Sequence, residues 1–168
     1  MSRAFVRESD DLPERPALGR RASPLSPGAQ NYMTPDGARH FREELERLVQ
    51  EERPQLVAAE EPDTKRRLQE VNQRIDLLQQ CLESAVVVSP PEERDRVQFG
   101  ATVTVRERSG EEMRYRIVGV DETDLDRGWV SWLSPVARAL LNARLGERVR
   151  FRSPSGDREL TVVAVEYE

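Results

Sequence analysis

From Ala38 onward the apolar positions Phe41, Leu45 and Leu48 recur at spacings of four and three, and Leu56 and Ala59 continue a weaker stripe. That period predicts a helix with one apolar face. Thr34 is placed to cap its start, with Pro35 at the first helical position, where a missing N–H costs nothing. Pro54 lies inside the run and predicts a kink, not a stop. The stretch Glu60-Glu61-Pro62-Asp63 predicts a turn, with Asp63 or Thr64 as the next N-cap. In the helix that follows, Leu68, Val71, Ile75, Leu78 and Leu82 step three, four, three, four, the a/d seam of a coiled coil held for two heptads. Two such arms joined by a short turn must lie antiparallel and cover each other's seams.

After Ala85–Val88 and the breaker Ser89-Pro90-Pro91 the pattern becomes alternation. Val97, Phe99, Ala101, Val103 and Val105 fall on one face of a predicted strand. Ser109-Gly110 turns into a second strand, Met113–Val118, and the polar loop Asp121–Gly128 leads to a third, Trp129–Leu133. Ser134-Pro135 opens a short helix carrying Val136, Leu140 and Leu141 inward, with Gly146 as its expected C-terminal cap. Strands Arg148–Phe151 and Leu160–Tyr167, joined across Ser153-Pro154-Ser155-Gly156, complete an α+β chain. The expected organisation is a flexible arm at 1–30, a hairpin at 31–86, a linker at 87–95 and a β-rich domain at 96–168. The arm is assigned on Pro13, Pro16, Pro24 and Pro27 among mixed charges, with no sustained apolar period.

Composition narrows the function. Of 168 residues, 34% are charged and 37% hydrophobic, as expected of a soluble chain. The longest purely apolar run, Ala85–Val88, is far short of the ~20 residues that span a bilayer, and residues 1–26 lack the apolar stretch of a signal peptide. A cytoplasmic location without membrane contact is expected. One cysteine, Cys81, and one histidine, His40, give no zinc spacing, and both read as structural. A net charge of −5 favours a protein partner over nucleic acid held by counterion release. Trp129 and Trp132 are expected to divide between the core and an outer contact.

Several segments carry a family resemblance: Asn31-Tyr32-Met33-Thr34-Pro35-Asp36-Gly37, Glu51-Glu52-Arg53-Pro54 and Arg66-Arg67-Leu68, then Phe99-Gly100-Ala101, Tyr115-Arg116-Ile117-Val118-Gly119 and the run Ser131–Leu141. Over about Asn31 to Tyr167 the chain resembles the Gre transcription elongation factors (GreA/GreB), and its hairpin segments are GreB-like. The resemblance implies a coiled coil that enters the secondary channel of bacterial RNA polymerase and an FKBP-like C-terminal domain that docks on the channel's rim, in a monomer that binds no cofactor stably. It places polymerase binding on Ser134, Pro135, Ala137, Arg138, Ala139 and Leu140. Leu140 also reads as core, which leaves Arg138 as the better interface residue.

The tip departs from that pattern. Family cleavage factors carry an Asp-x-Ser-Glu-Asn-Ala type motif followed by an aromatic, whereas this chain has only Gln55-Leu56-Val57-Ala58-Ala59-Glu60-Glu61-Pro62-Asp63-Thr64 between Pro54 and Lys65. Roughly two turns are missing from each arm, a retreat of about 10 Å at ~1.5 Å per residue. Metal coordination needs oxygens within ~2.1 Å, so Glu60, Glu61 and Asp63 are expected to act as modulators with at most indirect contact to the polymerase Mg²⁺. The same acids also suit an exposed turn. Lys65, Arg66, Arg67 and Arg74 are candidates to meet RNA, or form a solvated face with Glu70 and Arg74 as an i,i+4 pair. Three rival readings are a true transcript-cleavage-stimulating factor that uses the tip carboxylates, a prolyl isomerase, suggested by the implied fold alone, and a coiled-coil adaptor that dimerises through the seam.

Overall fold

The computed structural model describes residues 25–168 apart from Glu60. Most of the expected N-terminal arm, Met1 to Pro24, therefore lies outside the described residues, as does Glu60 of the expected tip. Helix α1 (Pro35–Arg47) opens with the Thr34 hydroxyl accepting the Gly37 N–H at 3.0 Å. It passes through a π-helical turn (Leu48–Glu52) into α2 (Arg53–Ala58), and Arg53 N–H reaches back five residues to the Leu48 carbonyl. Pro54 explains the wide turn: in a regular helix its ring would crowd the carbonyl four residues earlier and its missing N–H would leave that carbonyl unpaired. The arm is thus rewound at Pro54 and continues.

Helix α3 (Thr64–Ser84) returns antiparallel to the first arm, with Val71, Ile75 and Leu78 buried against Leu48 and Leu56. Phe41, Leu45 and Leu68 pack on the same cluster. Three local expectations need correction. Ala59 is exposed beyond the end of α2 and takes no part in the seam. Asp63 occupies the N-cap position, but its side chain makes no capping bond, because its backbone (φ −83°, ψ −5°) is already helical and does not aim the carboxylate at the first turn. Arg74 pairs with Glu44 across the hairpin through two 2.7 Å hydrogen bonds, while Glu70 pairs with Arg66 at 3.1 Å. A facing carboxylate satisfies the guanidinium fork with two parallel bonds, a geometry that outcompetes a neighbour on the same helix.

Two short strands frame the hairpin and were not expected: β1 (Asn31–Met33) and β2 (Ala85–Val87) pair in parallel, so the chain enters and leaves the hairpin side by side. β2 crosses the boundary expected between hairpin and linker. The second half is a five-stranded sheet ordered β5-β4-β3-β7-β6, built from β3 (Thr102–Glu107), β4 (Glu112–Val118), β5 (Trp129–Ser131), β6 (Arg148–Ser153) and β7 (Gly156–Glu166). β4 and β5 run parallel, and the other neighbours are antiparallel. Helix α4 (Pro135–Leu140) covers one face and closes a core centred on Val103, Val105, Ile117, Leu140, Leu160 and Val162.

The expected first strand begins only at Thr102. Gly100 adopts φ +84° and interrupts it, although Val97 and Ala101 are still buried as the alternation requires. Gly146 does not cap α4, which stops at Leu140; Asn142 takes the left-handed conformation (φ 69°), and Gly146 N–H bonds the Val162 carbonyl in a separate turn. Among the described residues no helix is long and apolar enough to cross a membrane.

Candidate functional site

Three places carry the residues singled out by sequence. At the hairpin's far end, Glu61, Pro62 and Asp63 are exposed between α2 and α3, beside a cavity of about 350 Å³ lined by Glu52, Gln55, Leu56, Arg67 and Thr64 among others. Lys65, Arg66 and Arg67 are exposed on the first turn of α3, whereas Arg74 is about two turns away and held by Glu44. The structure therefore separates Arg74 from the other three candidate RNA-contacting residues. Among the described residues no group of three or more His, Cys, Asp or Glu side chains is arranged to hold a metal ion.

The second place is α4. Ser134 caps it, accepting the Ala137 N–H at 3.3 Å, and Pro135 follows at the first helical position. Ala137 and Leu140 are completely buried in the sheet's core, so neither presents a side chain to a partner. Pro135 and Arg138 are exposed and Ala139 is half-buried. Arg138 has no ion-pair partner among the described residues. The six-residue signature thus divides by helix geometry into a core-facing pair, a cap and an outward Pro135–Arg138 surface.

The third place was not seen in the sequence: the joint between hairpin and sheet. Glu122, on the 3-10 turn that follows β4, is buried at 7% exposure. Its Oε2 accepts the backbone N–H groups of Thr34 and Gly119, each at 2.9 Å, and its Oε1 accepts the Thr34 hydroxyl. Gly37 leaves room for this carboxylate, since a Cβ there would lie 1.9 Å from Oε1. Gly119 is equally confined, with a Cβ meeting the Tyr32 carbonyl at 2.1 Å. Asn31 Nδ2 donates to the Cys81 carbonyl, Ser84 Oγ and Asp121 Oδ2, tying β1 to α3 and to the loop after β4. Cys81 is enclosed here; burial, helped by Asp121, pushes its thiol up to about 12.

Aromatic and charged contacts complete the joint. Tyr32 packs edge-on against Trp132 at 5.1 Å and tilts against Phe99 at 5.8 Å. Trp132 therefore links the hairpin's base to the segment that opens α4. Arg116, 9% exposed, bonds Glu168 at 3.0 Å, approaches Asp36 at 3.8 Å and lies 5.0 Å over the Trp129 ring, which Arg127 also covers. Both tryptophans are half-buried, and they divide as expected: Trp132 packs against the sheet's core, whereas Trp129 does not. Trp129 faces the polar side of the sheet, opposite Arg116 in the β4–β5 pairing. His40 is exposed, with Nδ1 3.0 Å from the Asp36 carbonyl.

Known proteins match most of the chain in sequence. The family model described as "Transcription elongation factor, GreA/GreB, C-term" matches residues 91–167. Transcription elongation factor GreB of Neisseria meningitidis serogroup A is 40% identical over 159 residues, covering 85% of this chain and 98% of the relative. GreB of Pseudomonas aeruginosa is 38% identical over 150 residues, covering 80% and 89%. GreA of Alkalilimnicola ehrlichii is 39% identical over 152 residues, covering 80% and 96%. A solved structure of the elongation factor GreA/GreB from Nitrosomonas europaea superposes with a TM-score of 0.41 at 23% identity, covering 83% of this chain and 99% of that one. With full-length relatives at this identity, the chain belongs to the GreA/GreB family of transcription elongation factors and is GreB-like.

Proposed function

We propose that the chain binds bacterial RNA polymerase as a cytoplasmic, monomeric elongation regulator, with its sheet domain docked on the rim of the secondary channel and its short hairpin inside. In this reading the sheet and α4 are the FKBP-like domain of the family, and Pro135 and Arg138 are the docking surface. The factor is not itself an enzyme. It occupies the channel without stimulating transcript cleavage, because its tip stops short of the polymerase metal site.

The observation that carries this reading is the length of the hairpin. The alignment with the Neisseria relative is 159 positions long yet takes up 85% of this chain, about 143 of its 168 residues, so about 16 positions of the relative face no residue here. We assign these positions to the hairpin tip, where the family's acidic motif has no counterpart in Gln55–Thr64; divided between two arms at ~1.5 Å per residue, that is a shortening of roughly 12 Å. Glu61 and Asp63 keep the ligand type for Mg²⁺, but no rotamer spans such a gap. Left in the channel, they act on the charge around the polymerase's moving elements and on nucleotide entry. An isomerase reading finds little support: Tyr32, Phe99 and Trp132 pack together at the joint, and Trp129 is covered by two arginines.

The test is RNA cleavage by backtracked elongation complexes, comparing wild type with a Glu60→Ala/Glu61→Ala/Asp63→Ala variant while polymerase binding is followed in parallel. Binding without cleavage is expected for both proteins. Robust cleavage by wild type that the triple variant loses would show that the tip reaches the metal.

A further inference from the structure

We propose that Glu122 is a positioning residue: its buried carboxylate sets the angle of the hairpin to the sheet domain and thereby the place of the tip. Four features of the joint converge on it. Glu122 joins the start of α1, through Thr34, to the end of β4, through Gly119, by three hydrogen bonds to its two oxygens. The Thr34 hydroxyl is itself committed, accepting the Gly37 N–H while donating to Glu122, so the hydrogen bonds run in one direction only. Gly37 and Gly119 enclose the carboxylate so closely that neither position admits a Cβ without displacing something. Finally, the carboxylate sits at the N-terminus of α1, where backbone N–H groups and the helix dipole favour a negative charge.

The leverage is large. At ~1.5 Å per residue the arm from Pro35 to Ala58 is about 36 Å long, so a swing of about 10° at Thr34 moves the tip by about 6 Å. That displacement is half of the roughly 12 Å of shortening proposed for this hairpin. The joint also adjoins α4's opening segment through Tyr32 and Trp132, so the hairpin is referenced directly to the docking surface. Hence a loosened joint leaves docking intact and misplaces the tip. This last step rests on the polymerase reading above, whereas the angle itself does not.

Two measurements separate the two claims. Spin labels on Pro62→Cys at the tip and Ser155→Cys in the β6–β7 turn report the tip-to-sheet distance in the full chain; Cys81, buried with its thiol held protonated, stays unlabelled. A single narrow distribution is expected for the otherwise wild-type protein. Glu122→Ala and Gly37→Ala should broaden or shift it by several ångströms, on the lever arithmetic above. Glu122→Gln should fall between wild type and Glu122→Ala, since its amide oxygen still accepts the Thr34 and Gly119 N–H groups while the Thr34 hydroxyl proton, which Glu122 Oε1 accepts, loses its acceptor. Unchanged distributions in both alanine variants would overturn the proposal, and if Glu122→Ala does not fold, Gly37→Ala decides alone.

On polymerase, Glu122→Ala should keep half-saturation within about twofold of wild type while losing most of the maximal effect on elongation, with Glu122→Gln restoring part of it. An unchanged maximal effect would overturn the functional consequence. If the wild-type protein fails to bind polymerase at all, the polymerase reading falls and the distance measurement still decides the role of Glu122.

Discussion

The hairpin and the joint at its base hold together by opposite means. Along the hairpin, Leu48, Leu56, Val71, Ile75 and Leu78 exclude water from a continuous seam, and each buried side chain contributes about 1.5–3 kcal/mol whatever the exact rotamer. At the joint a few polar atoms, Glu122 above all, meet at fixed distances with no spare volume beside Gly37 and Gly119. A seam tolerates small shifts because burial is non-directional. A hydrogen-bonded carboxylate does not, since leaving one buried partner unsatisfied costs about 1–3 kcal/mol. The seam therefore supplies stability and the joint supplies aim.

The contrast breaks first at Leu78. It is fully buried, and Leu78→Ala should cost about 2–5 kcal/mol in urea denaturation while leaving the tip-to-sheet angle of the folded fraction unchanged. Next comes Gly119→Ala. Gly119 has φ −66° and ψ 162°, a backbone any residue adopts, so the expected loss of about 1–3 kcal/mol comes from the Cβ meeting the Tyr32 carbonyl, and it should appear together with a displaced hairpin. If Gly119→Ala lowers stability without moving the hairpin, the joint is only another piece of core.

The smallest effect belongs to Arg74→Ala. Its two bonds to Glu44 lie on a partly exposed face, so solvent screening limits the pair to about 0.2–1 kcal/mol at neutral pH. The Arg74 guanidinium holds the Glu44 carboxyl below its ordinary value of 4.5. A lowered folded-state value means that the contribution is fully present above 4.5 and is lost as pH falls through that lowered value. Wild type should therefore show an acid-side decline in urea stability that Arg74→Ala lacks.

The seam of α3 was legible because Leu68 to Leu82 repeats a helical period, and the start of α4 because Ser134-Pro135 is a cap with a single geometry. The joint was not. Thr34 and Glu122 are 88 residues apart, and Glu122 sits in a three-residue turn whose sequence resembles any polar loop. β1 and β2 are three residues each, too short for alternation to register. Gly37 in the first turn of a helix was the available signal, since glycine there costs about 1 kcal/mol relative to alanine and calls for a packing reason. The run Ser134–Leu140 was legible as a capped helix, but its split between core and surface needed the direction of each side chain on α4.

Hairpin and sheet are two bodies on a tether. Only Val88 to Asp95 separate β2 from the bridge at Arg96, and a short linker of this kind gives the joined parts an effective concentration in the millimolar range. Closing the joint is then an intramolecular binding event, and contacts that would yield no measurable complex between separate chains keep the halves shut. That is why a handful of hydrogen bonds around one carboxylate suffices to aim a lever several times longer than the joint is wide.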